Sequence, residues 1–148
     1  MTLDAATAHA IVEAAHAAWR NGDIEAVLDQ YVDDLVAITN AGPDWQPMII
    51  EGKAAMRARY APIMDIIDSR TTILSFDFDG SSARIRFGAF LRHRATGLEM
   101  KGTYREMCTF RGDKIARIED FHDVAKIAAF WRLIEFETLQ HMGDAVGL

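Results

Sequence analysis

The chain has 148 residues, the size of one domain, and half of them are hydrophobic, which is enough for one substantial core. Its formal net charge of -6 argues against a nucleic-acid-binding protein, which would normally present a basic face. A single cysteine, Cys108, excludes an internal disulfide and a cysteine-rich metal site. Residues 1–20 show no secretion signal, and no stretch approaches the roughly 20 apolar residues of a membrane span. We therefore expect one domain over residues 1–148, located in the cytoplasm, with neither nucleic acid nor a membrane as partner.

A first helix is predicted over residues 4–21, where apolar side chains recur at helical spacing. Gly22 is a typical helix end and Asp23 a typical N-cap, so a short second helix should follow. The predicted apolar side of that second helix comprises Ile24, Val27, Leu28 and Tyr31.

A strand and a third helix are predicted next. Residues 35–40 favour a strand, and the glycine and prolines that follow predict a loop. Residues 53–68 predict a helix, which Pro62 should kink or split. The apolar side of this helix comprises Met56, Tyr60, Ile63, Met64 and Ile67.

The second half of the chain changes from helical to alternating periodicity. Strands are predicted over residues 71–79, 84–94, 99–111 and 114–123, and a final helix over residues 124–142. One face of the first of these strands comprises Leu74, Phe76 and Phe78. The apolar side of the final helix comprises Ile127, Phe130, Trp131, Ile134 and Leu139. Because sequential strands joined by tight turns form an antiparallel meander, the predicted fold class is α+β.

The last predicted strand carries an acid and an imidazole on an apolar face. Counted by twos, Ile118, Asp120 and His122 share one side of the strand. A carboxylate on an apolar face is costly unless it is paired or functional. This strand therefore indicates a pocket that contains ionisable groups.

A second acid lies on the neighbouring predicted strand. Glu106 shares its face with Tyr104 and Cys108, so it lies one strand from Asp120 if that face points inward. Two buried carboxyl groups near each other titrate as a coupled pair. The alternatives are that Glu106 is a rim residue paired with an arginine, and that His122 is a core histidine with satisfied hydrogen bonds.

Two segments carry a resemblance to a known superfamily. They are G-D-I-E-A-V-L-D-Q-Y-V-D-D at residues 22–34 and F-R-G-D-K-I-A-R-I-E-D-F-H-D at residues 110–123. With the order of elements, they make the chain similar to nuclear transport factor 2, ketosteroid isomerase and the SnoaL-like polyketide cyclases. The resemblance covers nearly the whole chain. It implies a curved antiparallel sheet that forms a conical cavity covered by N-terminal helices, a cystatin-like roll that hosts both enzymes and non-enzymes.

The limonene epoxide hydrolase branch of this superfamily uses an Asp-Arg-Asp set. Asp120 matches the last acid of that set, but Phe87 and Ala89 stand at its other two positions. Asn40 matches an asparagine of the branch, whereas Ile38 replaces its tyrosine. The resemblance therefore does not imply epoxide hydrolysis by that route.

The steroid isomerase set is also incomplete. Thr39 stands where that branch has its proton-shuttling Asp, and Ala15 stands where it has its oxyanion-holding Tyr. Glu106 falls at the position of the second oxyanion donor, a protonated Asp. The SnoaL-type cyclases use a cavity acid for acid/base chemistry, and Asp120 is the candidate for that role.

Two hypotheses about function follow, and whether the protein is an enzyme stays open between them. The first is a cofactor-free isomerase, cyclase or dehydratase with Asp120 as acid/base, acting on a small, mostly apolar carbonyl or polyketide-like compound in a closed cavity. His122, Tyr104 and Glu106 would orient or polarise the ligand, and Asn40 would hydrogen-bond to it. The remaining predicted ligand-binding residues are Trp19, Trp45, Met56, Tyr60, Phe87 and Ile118. The second hypothesis is a non-catalytic small-ligand-binding or dimerising interaction module.

Neither hypothesis includes a metal, because the five histidines show no paired metal spacing on one helix. The outer face of the predicted sheet carries arginines among an aromatic residue and acids: Arg84, Arg86, Arg92, Arg105, Arg117, Phe90, Glu119 and Asp77. In the superfamily this face often packs against a second copy, which implies a homodimer. The alternative is a solvated face.

Overall fold

The computed structural model describes the backbone of residues 2–145 and the side chains of residues 2–140. The helices are α1 (Ala5–Arg20), α2 (Ile24–Leu28), α3 (Lys53–Met64) and α4 (Val124–Ala145). The strands are β1 (Tyr31–Thr39), β2 (Met48–Glu51), β3 (Ile67–Phe78), β4 (Ser82–His93), β5 (Glu99–Arg111) and β6 (Lys114–Phe121). A 3-10 turn spans Pro43–Trp45. Within the described residues no helix is long and apolar enough to cross a membrane.

All six strands form one curved sheet in the order β2-β1-β6-β5-β4-β3. Strands β3 to β6 form an antiparallel meander, as their tight turns predict. Strand β1 pairs parallel with β6 and antiparallel with β2. The α+β class predicted from the change of periodicity is therefore confirmed.

The core lies between the inner face of this sheet and the helices α1, α2 and α3. Helix α1 starts at its N-cap Asp4, whose side chain accepts a hydrogen bond from the Thr7 N–H at 2.7 Å. The buried side of α1 comprises Ala8, Val12, Ala15 and Ala18. These small side chains allow the helix to pack close to β3. Helix α4 packs through Phe130 and Ile134 against Ile67 in a second cluster.

Several predicted elements differ from those of the structure. Tyr31 opens strand β1 instead of closing the second helix, and strand β1 begins four residues earlier than predicted. Helix α3 continues through Pro62 but ends two residues later at Met64, so Ile67 opens β3. The glycine and prolines after β1 predict only a loop and do not indicate strand β2. This strand gives a weak sequence signal, because it has only four residues at the edge of the sheet and its Ile49 is 64% exposed.

Two predicted core positions are also wrong. Leu74 is 49% exposed because a β-bulge between Ile73 and Ser75 shifts the alternation of β3. Ile73 therefore packs against the core instead of Leu74. Leu139 is 65% exposed, because it lies on the side of α4 that faces away from the second cluster.

We expect Phe87→Ala to lower the free energy of unfolding by about 3–5 kcal/mol, because Phe87 is fully buried and its truncation leaves a cavity between stacked rings. Urea denaturation measures this loss. Ile49→Ala is the matched control and should change the same quantity by no more than about 0.5 kcal/mol. Equal losses in both variants would contradict the placement of Phe87 in the core.

Candidate active site

Two carboxyl groups face each other on the inner side of the sheet. Glu106 of β5 pairs directly with Asp120 of β6. Side chains that are opposite in neighbouring strands have Cβ atoms about 4.5–5.5 Å apart. The alternative of Glu106 as a rim residue paired with an arginine is wrong, because Glu106 is 6% exposed and no ion pair includes it among the described side chains.

Burial raises the pKa of Glu106 well above its ordinary value, and the charge of Asp120 raises it further. Like charges on opposed buried side chains disfavour the ionisation of both groups. Glu106, whose pKa is raised, is therefore the member of the pair that favours its protonated form. The site thus places a carboxylic acid that can donate a hydrogen bond beside a second carboxyl group.

A column of four aromatic rings crosses the inner face of the sheet beside this pair. The rings belong to His16 of α1, Phe87 of β4, Tyr104 of β5 and His122, which directly follows β6. Successive ring centroids are 4.3, 5.0 and 4.5 Å apart, and the interplanar angles are 27°, 24° and 29°. Burial raises the pKa of Tyr104 well above its ordinary value, so its hydroxyl stays protonated. The stacked rings form a rigid and largely apolar unit.

His16 was missed by the sequence analysis. Its Nδ1 lies 2.7 Å from Thr71 Oγ1, and its ring stacks on Phe87. Burial lowers the pKa of His16 to about 4, against the opposing effect of the Asp120 charge. The signal that could have identified it is its spacing, because it lies four residues after Val12 on the side of α1 that packs inward.

His122 and Asn40 close one end of the site. The His122 Nε2 lies 3.9 Å from Asp120 Oδ2, and the two side chains are 23% and 13% exposed. The Asn40 Nδ2 donates to the His122 carbonyl at 3.0 Å, and the His122 N–H donates to Asn40 Oδ1 at 2.9 Å. Asn40 therefore ties the end of β1 to the end of β6, and its contact with a ligand stays a prediction.

Most of the predicted wall residues belong to the main core or pack against it. Trp19 and Tyr60 pack edge to face at 5.1 Å, and Met56 is fully buried. Ile118 belongs to the main core next to Asp120. Trp45 is separate from this group, since it is half-buried in the 3-10 turn and is not among the residues packed against the core.

We expect the free energy of unfolding of the wild-type protein, relative to Glu106→Gln, to fall as pH rises above 4.5. The pKa of Glu106 is higher in the folded state than its ordinary value of 4.5 in the unfolded chain. The stabilising contribution of the protonated Glu106 is therefore complete below pH 4.5 and is lost as pH rises towards the raised folded pKa. The limiting slope is about 1.4 kcal/mol per pH unit. Urea denaturation in a pH series measures it.

His16 contributes to the free energy of unfolding with the opposite pH dependence. Its stabilising contribution is present above pH 6.5 and is lost as pH falls towards about 4. Because both proteins contain His16, this contribution cancels in the difference between them. Glu25→Gln provides a control of opposite sign, because its bond to Arg57 lowers the pKa of the exposed Glu25. A pH-independent difference for Glu106→Gln would show that Glu106 is not buried as a protonated acid.

Comparison with known proteins agrees with this architecture. The family model of the SnoaL-like domain matches residues 12–118, and none of the curated proteins matches the sequence. A protein with a ketosteroid isomerase-like fold from Catenulispora acidiphila, solved with trimethylamine, is 18% identical with a TM-score of 0.70 over 80% of this chain and 89% of its own. TerC, co-crystallised with polyporic acid, is 22% identical with a TM-score of 0.71 over 87% and 98%.

A third similar structure is an LEH-like epoxide hydrolase from M. tuberculosis, which is 18% identical with a TM-score of 0.71 over 85% of this chain and 90% of its own. At these identities the three structures establish the fold and leave the activity open. Together with the family match, they confirm the resemblance inferred from residues 22–34 and 110–123. The family match covers well over half of the sequence, and the chain is therefore a member of the SnoaL-like domain family.

Proposed function

We propose that this protein is a cofactor-free acid/base enzyme of the isomerase, cyclase or dehydratase type. Its substrate would be a small, mostly apolar carbonyl or polyketide-like compound. The observation that carries this proposal is the Glu106–Asp120 pair, in which a buried carboxylic acid lies directly opposite a carboxylate. Pairs of acids whose environments separate their protonation states are typical of acid/base catalysis.

In the proposed mechanism Asp120 removes a proton from a carbon next to the substrate carbonyl. The C–H bond breaks, the proton moves to Asp120, and the electron pair moves to the carbonyl oxygen to form an enolate. Glu106 donates a hydrogen bond to that oxygen as its charge develops. Asp120 then returns the proton to a different carbon, which gives an isomer or prepares a ring closure or elimination.

The surroundings of the pair support a flat apolar substrate. The stacked rings from His16 to His122 offer a largely apolar surface, and the edge-to-face pair of Trp19 and Tyr60 offers a second one. His122, next to Asp120, would orient the carboxylate, and Tyr104 would help to polarise the carbonyl. The binding of polyporic acid by TerC, a protein of the same fold, is consistent with a ring-containing ligand.

We expect Asp120→Asn to slow proton exchange at carbon by roughly 10²–10⁴-fold, because the carboxamide keeps the shape but cannot accept the proton. The measurement is incorporation of deuterium from D₂O next to the carbonyl of cyclohexenones and indanones, with and without a ring carboxylate, followed by NMR. Glu119→Gln is the matched control, since Glu119 is on the outer face of the same strand, bound to Arg117.

Exchange at the wild-type rate in Asp120→Asn would show that Asp120 is not the base. Absence of catalysed exchange across the whole panel in the wild-type protein would contradict the enzyme proposal.

A second candidate role is dimerisation, with or without catalysis. The outer face of the sheet exposes three large apolar side chains. They are Leu74 (49% exposed), Met107 (39%) and Phe121 (52%). A groove of about 600 Å³ lies beside Leu74 on this face, and Lys101 is 5.9 Å from the ring centroid of Phe90 there. Aromatic and apolar side chains mixed with arginines are typical of protein interfaces.

We expect light scattering at micromolar concentration to give twice the chain mass of 16.5 kDa, because a second copy would cover these apolar side chains. Phe121→Glu should shift the mass towards that of one chain, whereas Leu139→Glu on α4 should not. A wild-type monomer at both low and high salt would rule out the outer-face dimer.

A further inference from the structure

Arg59 of α3 is a half-buried cation whose hydrogen bonding is incomplete. Its Nε is fully shielded from solvent and has no hydrogen-bond partner, while its Nη2 donates to the Ala41 carbonyl at 3.2 Å. Buried donors without a partner are rare in folded proteins and call for an explanation. Among the described side chains, the other buried atom without a hydrogen-bond partner is Asp120 Oδ1.

Arg59 and Asp120 lie at the same end of strand β1. Asp120 pairs with Thr39, and Arg59 contacts Ala41, whose N–H donates to Thr39 Oγ1 at 3.1 Å. Two residues of extended chain span about 7 Å at most, so the two contact points on β1 are close. Burial raises the pKa of the Tyr60 phenol, the charge of Asp120 raises it further, and the charge of Arg59 lowers it, so Tyr60 responds to both residues.

The charge of Arg59 also lacks a counter-ion, in contrast to its neighbours on α3. Lys53 pairs with Asp33, and Arg57 pairs with Glu25. No carboxylate among the described side chains lies within ion-pair distance of Arg59. A neutral acceptor would satisfy the Nε–H but leave the charge unpaired, whereas a carboxylate would satisfy both.

We propose that the ligand of this site carries a carboxylate that binds Arg59 and so holds its apolar body beside Asp120. Charge-assisted hydrogen bonds are roughly twice as strong as neutral ones, so a ligand carboxylate displaces the Ala41 carbonyl as the partner of the guanidinium. The substrate class then narrows from apolar carbonyl compounds to ring-containing carboxylic acids. This inference rests on the proposed function for the role of Asp120 as the base.

The test uses two ligands of nearly the same shape, 2-naphthoate and 2-naphthamide, which differ in charge. At neutral pH we expect the wild-type protein to bind 2-naphthoate with a dissociation constant in the millimolar range or below, and about ten-fold more tightly than 2-naphthamide. Arg59→Gln should abolish this preference for the carboxylate. Arg57→Gln, which removes a charge from the same helix outside the site, should preserve it. Titrations followed by NMR measure all three.

A preference for 2-naphthoate that survives in Arg59→Gln would overturn the proposal, and so would the absence of wild-type binding at about 10 mM ligand. If Arg59→Gln does not fold, the Nε–H resonance of Arg59 is followed in the wild-type protein. It should shift with 2-naphthoate at concentrations about ten-fold lower than those at which 2-naphthamide shifts it. A resonance that is unchanged at saturating 2-naphthoate would also overturn the proposal.

These outcomes are separate from the test of the proposed function. Deuterium exchange into neutral cyclohexenones depends on Asp120 and requires no carboxylate on the ligand. Suppose that the protein catalyses deuterium exchange but binds 2-naphthoate no more tightly than 2-naphthamide. That result would exclude the proposed role of Arg59 and leave the enzyme proposal in place. Binding of 2-naphthoate that depends on Arg59, without exchange in any member of the panel, would leave a binding protein for carboxylic acids.

Discussion

The pairing of β5 with β6 imposes the constraint on which the site depends. It places Glu106 opposite Asp120 on the covered face of the sheet, where water cannot stabilise two charges. Burial therefore favours a proton on the pair, and Glu106 is the group whose pKa is raised. The same burial that would destabilise an unpaired carboxylate thus provides an acid and a base side by side, and the surrounding rings keep their dielectric environment low.

The other elements of the site hold this pair in place by contacts of different kinds. Asn40 fixes the end of β6 through two hydrogen bonds to the His122 backbone, so the strand cannot shift its register near Asp120. Stacking connects His122 and Tyr104 to Phe87, and His16 extends that contact to α1. A single rigid unit therefore links three strands and one helix around the carboxyl groups, which is the preorganisation that catalysis or selective binding requires.

The sequence was sufficient for those features that depend on local periodicity. Alternation along 99–111 and 114–123 predicted the two strands and put Glu106 and Asp120 on the same faces as apolar neighbours, and the structure has them facing inward. Features set by distant contacts could not be predicted. The bulge beside Ile73, the edge strand β2 and the partners of His16 and Arg59 all depend on segments far apart in the chain. Local spacing contains no information about such contacts.

The parallel pairing of β1 with β6 has a consequence for the order of folding. The two residues that join these strands, Asn40 and His122, are 82 positions apart, whereas β3 to β6 connect through short turns. Closing so long a loop costs more chain entropy than closing a hairpin, so the meander can form before β1 joins it. We therefore expect the end of the site where Asp120 lies beside Thr39 to be among the last parts of the native structure to be assembled. A nascent or partly folded chain contains both acids on adjacent strands but lacks the strand and helix that enclose them.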